Sequence, residues 1–150
     1  KEEINTLIAL QNKEENINFN YRGFAKRNNC VLIIEGEKYY ITDGYNEFYI
    51  KNKNKYFTDE EFIDNVYTGM IASSIGICNN KSEIVQAILI STLSFYIAQK
   101  NSIGMIKKQL DNSNYENNIK LINEYLLEEI SKIDAKKIKE YGDIEYYFKR

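Results

Sequence analysis

The carboxylates most suggestive of a metal site lie in Thr58-Asp59-Glu60-Glu61-Phe62-Ile63-Asp64. On a helix, Glu60 and Asp64 at i, i+4 share one face, where oxygen ligands can hold a hard divalent cation. The same residues also make a helix start. Thr58 can accept from an amide of the first turn while Glu61 reaches back, and acids there face the positive end of the helix dipole, so the capping box is the stronger reading. Asp43, Glu47 and Lys51 offer a second acid and lysine set, but not in the Asp…Glu-x-Lys order of metal-dependent nucleases. A carboxylate-dependent hydrolase is therefore the least favoured reading, and neither metal nor cofactor is expected.

The count of histidines is zero. That removes Ser-His-Asp and Cys-His pairs, HExxH zinc sites and imidazole bases together. No GxxxxGK[ST] or GxGxxG stretch is present to cradle phosphates. The expectation is a protein without catalytic residues.

Two stretches are suited to binding. NYRGFAKRNN, Asn20 to Asn29, interleaves Arg22, Lys26 and Arg27 with Tyr21 and Phe24, and Lys51, Lys53 and Lys55 follow in KNKNK. Charge mixed with stacking faces is what single-stranded nucleic acid uses. Arg22-Gly23-Phe24-Ala25 matches the first half of a strand signature of RNA-recognition motifs, and the match stops at Lys26 and Arg27. An edge strand that uses charge to avoid pairing accounts for the same residues. A net charge of −2 also argues against a phosphate partner.

YYITDGYNEFYI, residues 39 to 50, carries the second pattern. Asp43-Gly44 between aromatic-rich flanks is a two-residue hairpin signal. In that hairpin Tyr39, Ile41, Phe48 and Ile50 share a core face, and Tyr40, Tyr45 and Tyr49 stand on the other as an interaction surface. The high tyrosine count, 13, is discounted, because Tyr, Asn, Ile and Lys are the residues AT-rich coding favours.

The elements that position these residues follow from periodicity. Ile4, Leu7 and Ile8 give a helix over about 2 to 13. A strand is expected within INFNYRGFAKRNN, another in CVLIIE as a run buried on both faces, and a third at 38 to 42 across Gly36-Glu37. After KNKNK come a helix from Asp59 with Phe62, Ile63, Val66, Met70 and Ile71 on its apolar face, and a central buried helix 83 to 100 capped by Ser82. Gly69, Ala72, Ser73, Ser74 and Gly76 would let that neighbour approach closely. Asn101-Ser102 interrupts or restarts the central helix. Ser113 to Glu116 form a second capping box before a helix marked by Ile119, Ile122, Leu126, Ile130 and Ile133. Gly142 ends the turn AKKIKEY, and DIEYYFKR suits either strand or helix.

At 150 residues one domain, 1–150, is expected. The fold class is α+β: an N-terminal helix, an antiparallel sheet of three to four strands over about 17–57, then three to four helices packed on it. Ile84 to Ala98, 15 residues, is too short for a bilayer span, so no membrane partner is expected. Cys30 and Cys78 are isolated and read as buried thiols of a cytoplasmic protein. The favoured function is a non-enzymatic protein-interaction module, a small regulator or inhibitor of the sort viruses or mobile elements direct at a host defence complex. Nucleic-acid or nucleotide binding through 20–29 and Lys51 to Lys55 is the alternative.

Overall fold

Helix α1, Glu2–Glu15, begins the chain with Glu2 and Glu3 in its first turn and Lys13 in its last, each at the end its charge favours. The structure, a computed structural model, describes residues 2–15, 20–52, 57, 60–109, 115–141 and 144–147. The element order is that of an α+β protein: α1, α2 (Tyr21–Arg27), β1 (Leu32–Ile34), β2 (Lys38–Thr42), β3 (Glu47–Lys51), α3 (Glu60–Ile75), α4 (Lys81–Gln109), α5 (Tyr115–Ser131), α6 (Ala135–Tyr141) and β4 (Ile144–Tyr147). Two compact units result, Lys1–Lys51 with Ile144–Arg150, and Asn52–Asp143.

The sheet unit has four antiparallel strands in the order β1-β2-β3-β4. Its fourth strand comes from the tail, with Ile50 opposite Ile144 and Glu47 opposite Tyr147, and not from residues 20 to 23. The segment that reads as a basic aromatic strand is helix α2. Asn20, extended at φ −93 and ψ −177, accepts the Gly23 amide on its carboxamide and so caps the first turn. At the other end the Asn29 amide donates to the Lys26 carbonyl and the Cys30 amide to the Ala25 carbonyl, with Asn29 left-handed at φ 48. That pairing is a Schellman stop, for which asparagine is the usual substitute for glycine. Asparagines at both ends thus outweigh the alternation of Phe19, Tyr21 and Gly23.

CVLIIE supplies β1 as an edge strand, not one buried on both faces: only Ile34 is buried, and Leu32 and Ile33 are half-buried. Strand β2 returns through the turn at Gly36-Glu37, with Ile34 opposite Tyr40. Tyr39 pairs with Ile50 and Ile41 with Phe48 on one face, and Tyr39, Ile41 and Ile50 are fully buried.

The hairpin between β2 and β3 corrects the two-residue turn. Pairing ends at Thr42 opposite Glu47, leaving the four residues 43 to 46 in the loop. Asp43 Oδ1 accepts from the amides of Tyr45 and Asn46 at 2.8 and 2.7 Å, and Oδ2 from the Asn46 carboxamide. Thr42 Oγ1 donates to the Asn46 carbonyl and accepts from the Gly44 amide. Gly44 has φ +89, and a Cβ there would lie 2.5 Å from the Lys26 backbone. Glycine is therefore demanded twice, by the dihedral and by the close passage of α2.

In the helical unit α4 is central, and Ser91 to Gln99 are buried without a break. It runs through Asn101-Ser102 uninterrupted, because the Ser102 hydroxyl donates to the Ala98 carbonyl at 2.7 Å and leaves the helical pattern intact. Its cap is Asn80, not Ser82: the Asn80 carboxamide oxygen accepts the Glu83 amide, and Glu83 reaches back to the Asn79 amide. Three hydrogen-bond donors, the Asn79 amide first and then the Asn80 and Asn79 carboxamides, hold the Glu83 carboxyl below the usual range although burial opposes them. The Tyr67 hydroxyl of α3 meets Thr92 Oγ1 of α4 at 2.8 Å, and the Tyr67 and Phe95 rings lie 5.1 Å apart. Of the small residues of α3, Ser74 accepts from Ser91 at 2.8 Å, whereas Gly69, Ala72, Ser73 and Gly76 are exposed. Leu126 is the buried centre of the α5 stripe. Thr58, Asp59, Ser113, Asn114 and Gly142 lie outside the described residues, and the helix expected from Asp59 is described from Glu60. Cys30 and Cys78 are free and half-buried, a correction to the expectation of burial. No described helix is long and apolar enough to cross a membrane.

Candidate functional site

The sheet face opposite Tyr39, Ile41 and Ile50 carries Ile34, Tyr40 and Tyr49 in cross-strand register. The Tyr40 and Tyr49 ring centroids are 5.1 Å apart, tilted at 50°. Helix α2 adds a third ring, Tyr21, 5.9 Å from Tyr40. These rings border an open cleft of about 500 Å³. Buried Ile34 also lines it, with Glu35, Gly36 and Glu37 from the β1–β2 turn, Lys38 at the start of β2, and Asn20 and Glu47 completing the lining.

Two of the three rings are held by their hydroxyls. Tyr21 donates to Asn5 Oδ1 of α1 at 2.6 Å, and Tyr40 donates to Glu47 Oε1 at 2.9 Å. Burial, reinforced by the hydrogen bond to Glu47 and by its charge, pushes the Tyr40 phenol well above its ordinary value, so it stays neutral at physiological pH. Glu47 is shared. Arg22 NH1 lies 3.7 Å from Glu47 Oε2 while Arg22 Nε and NH2 donate to the Gly44 and Tyr45 carbonyls at 3.3 and 3.0 Å. Arg22 thereby ties α2 to the hairpin.

Of the interaction residues expected from sequence, Tyr40 and Tyr49 come together in the cleft. Tyr45 does not: it stands exposed on the loop, with Lys26 Nζ 5.2 Å from its ring centroid. Of the nucleic-acid set, Tyr21 joins the cleft, Arg22 is engaged with the hairpin, and Phe24 is half-buried. Lys26 and Arg27 are exposed in the last turn of α2, Lys51 ends β3 opposite Lys38, and Lys53 and Lys55 lie outside the described residues. Because 21 to 27 is a helix, its side chains do not present the strand surface that an RNA-recognition signature requires.

Sequence reasoning missed Asn20, Glu35, Glu37, Lys38 and Glu47 as cleft residues. Glu47 was within reach: two residues before Tyr49 on one strand, it must share that tyrosine's face. The turn residues carried no comparable signal. Among the described residues, no cluster of three or more acids or cysteines is placed to hold a metal ion.

No protein-family model matches the chain. No curated protein is similar to it in sequence. Among solved structures, hydroxyethylthiazole kinase from Pyrococcus horikoshii OT3 is similar with a TM-score of 0.60 and 13% identity, over 84% of this chain and 44% of that one. The chain thus spans less than half the length of that kinase, and a likeness at this identity concerns the fold and not the chemistry.

Proposed function

We infer that the protein is a non-enzymatic protein-interaction module, a small regulator or inhibitor that engages another protein through the cleft of Tyr21, Tyr40 and Tyr49. The observation that carries this reading is the contiguous triad of rings, tilted together at 5.9 and 5.1 Å on an open cleft, with Tyr21 and Tyr40 fixed by hydrogen bonds at their hydroxyls. Aromatic faces held in place bury large area on contact and lose little side-chain entropy doing so.

The composition supports the absence of bond-making chemistry, since the chain has no imidazole to act as a base near neutral pH. Of the cleft's three acids, Glu47, the one beside Tyr40 and Arg22, is occupied by both. The test is affinity capture from a lysate of the protein's own source with the wild-type chain and with Tyr49→Leu as parallel baits. A protein retained by the first and lost by the second supports the reading. Capture that ignores residue 49, or none with either bait, contradicts it.

A further inference from the structure

The cleft has a charge as well as a shape. Among the described residues Glu35, Glu37 and Glu47 stand at the cleft, Lys38 lies in its lining and Arg22 is paired with Glu47, so carboxylates exceed cations by one, and the three ring faces carry the negative side of the aromatic quadrupole. That balance favours a positive guest. A phosphate would meet the exposed Glu37 carboxylate and ring faces of the same sign, and a purely apolar segment would strip water from that carboxylate without replacing it. The hydroxyls of Tyr21 and Tyr40 are already donated to Asn5 and Glu47, so what a guest meets is ring face and carboxylate. A volume of about 500 Å³ is within the range of ordinary side-chain-sized or small-ligand pockets.

We propose that the cleft of Tyr21, Tyr40 and Tyr49 receives a basic side chain, an arginine or lysine, carried by an extended segment of the partner protein. This rests on the interaction reading above and names the chemistry of its partner. The cation lies over the Tyr40 and Tyr49 rings and is neutralised by Glu37 at the exposed rim. Arginine suits the site better, because its flat guanidinium stacks on ring faces and is weakly hydrated.

The experiment is an NMR titration of the full chain with three probes: a short blocked peptide bearing two arginines, the same peptide with citrulline in their place, and a single-stranded RNA oligonucleotide. The arginine peptide is expected to shift the resonances of Tyr40, Tyr49 and Glu37 saturably, and the uncharged citrulline peptide to bind about tenfold more weakly. Glu37→Lys, on an exposed residue whose change leaves folding intact, and Tyr49→Leu should each weaken the arginine peptide about fivefold, while Tyr49→Phe, which keeps the ring, should not. Equal binding of citrulline, preference of the same residues for RNA, or no saturation by the arginine peptide at low salt would each overturn the proposal. If a protein is captured through Tyr49 while the arginine peptide leaves the cleft unshifted, this proposal fails and the interaction reading stands. If the peptide binds but capture ignores Tyr49, the reverse holds.

Discussion

The helical unit and the sheet unit differ in where several of their polar side chains lie. In the helical unit Thr92, Ser102 and Glu129 are buried and each is matched by a partner within the same unit: Thr92 by Tyr67, Ser102 by Ala98, Glu129 by Asn101 and Lys132. In the sheet unit Tyr40, Tyr49, Glu35 and Lys38 are half-buried or exposed around an open cleft. Polar groups closed off from water contribute to a unique packing, whereas side chains at a concave surface can be reached by another molecule whatever partners they already have. If the cleft is the binding surface proposed above, most residues that matter for binding are not those that hold the helical unit together, and substitutions can separate them.

The largest effect is expected where the sheet unit itself depends on packing. Gly44→Val places a branched side chain at φ +89 and against the Lys26 backbone. It should lower stability by about 3 kcal/mol in a urea titration and weaken peptide binding too, since α2 carries Tyr21. Stability unchanged within error would mean that α2 does not pass the hairpin so closely.

Glu129 comes next. Burial works to raise its carboxyl, but hydrogen bonds from Lys132 and Asn101, with the charges of Lys132 and Lys137, prevail and hold it below the ordinary value of 4.5. A depressed value in the folded state stabilises the protein above the ordinary carboxylate range, and that contribution is lost as the pH falls through the folded value. Glu129→Ala should cost about 2 kcal/mol near neutral pH, and the difference from wild type should shrink on acidification. A difference that does not change between neutral pH and the acid side of the ordinary value would contradict the assignment. Cleft binding should be unaffected in this variant.

Tyr67→Phe removes the hydroxyl that meets Thr92 and leaves the ring against Phe95, so a loss of about 1 kcal/mol is expected. Glu37→Lys is the smallest in stability, within about 0.5 kcal/mol because the residue is exposed. It is also the sharpest contrast, for it should reduce binding of a basic peptide while Tyr67→Phe leaves binding alone. If Glu37→Lys and Tyr67→Phe both moved stability and both spared binding, the division between the units would not hold.

The helices were legible where one periodicity ran without competition. Ile122, Leu126 and Ile130 mark α5, and the run from Ile84 to Ala98 marks the buried heart of α4. Illegibility arose where two local preferences collided. Residues 20 to 29 alternate like a strand, yet Asn20 and Asn29 supply a cap and a left-handed stop, and the termini prevailed. Asp43-Gly44 signalled a turn correctly but not its length, because the Asp43 carboxylate gathers Tyr45 and Asn46 into a wider loop. Two of the three cleft tyrosines, Tyr40 and Tyr49, could be read from strand alternation. The rest of the cleft, Tyr21 from α2, Glu35 to Glu37 from a turn and Lys38 at the start of β2, depends on tertiary placement that spacing along one chain does not encode.

A photo-crosslinking amino acid placed in turn at Tyr49 and at Ile77, the latter 83% exposed on the helical unit, addresses the division most directly once a captured partner is in hand. If working contacts belong to the aromatic cleft, irradiation of the complex yields an adduct from position 49, through a basic segment of the partner, and none from position 77. Adducts from position 77 with none from 49 would place the working surface on the helices and contradict the account.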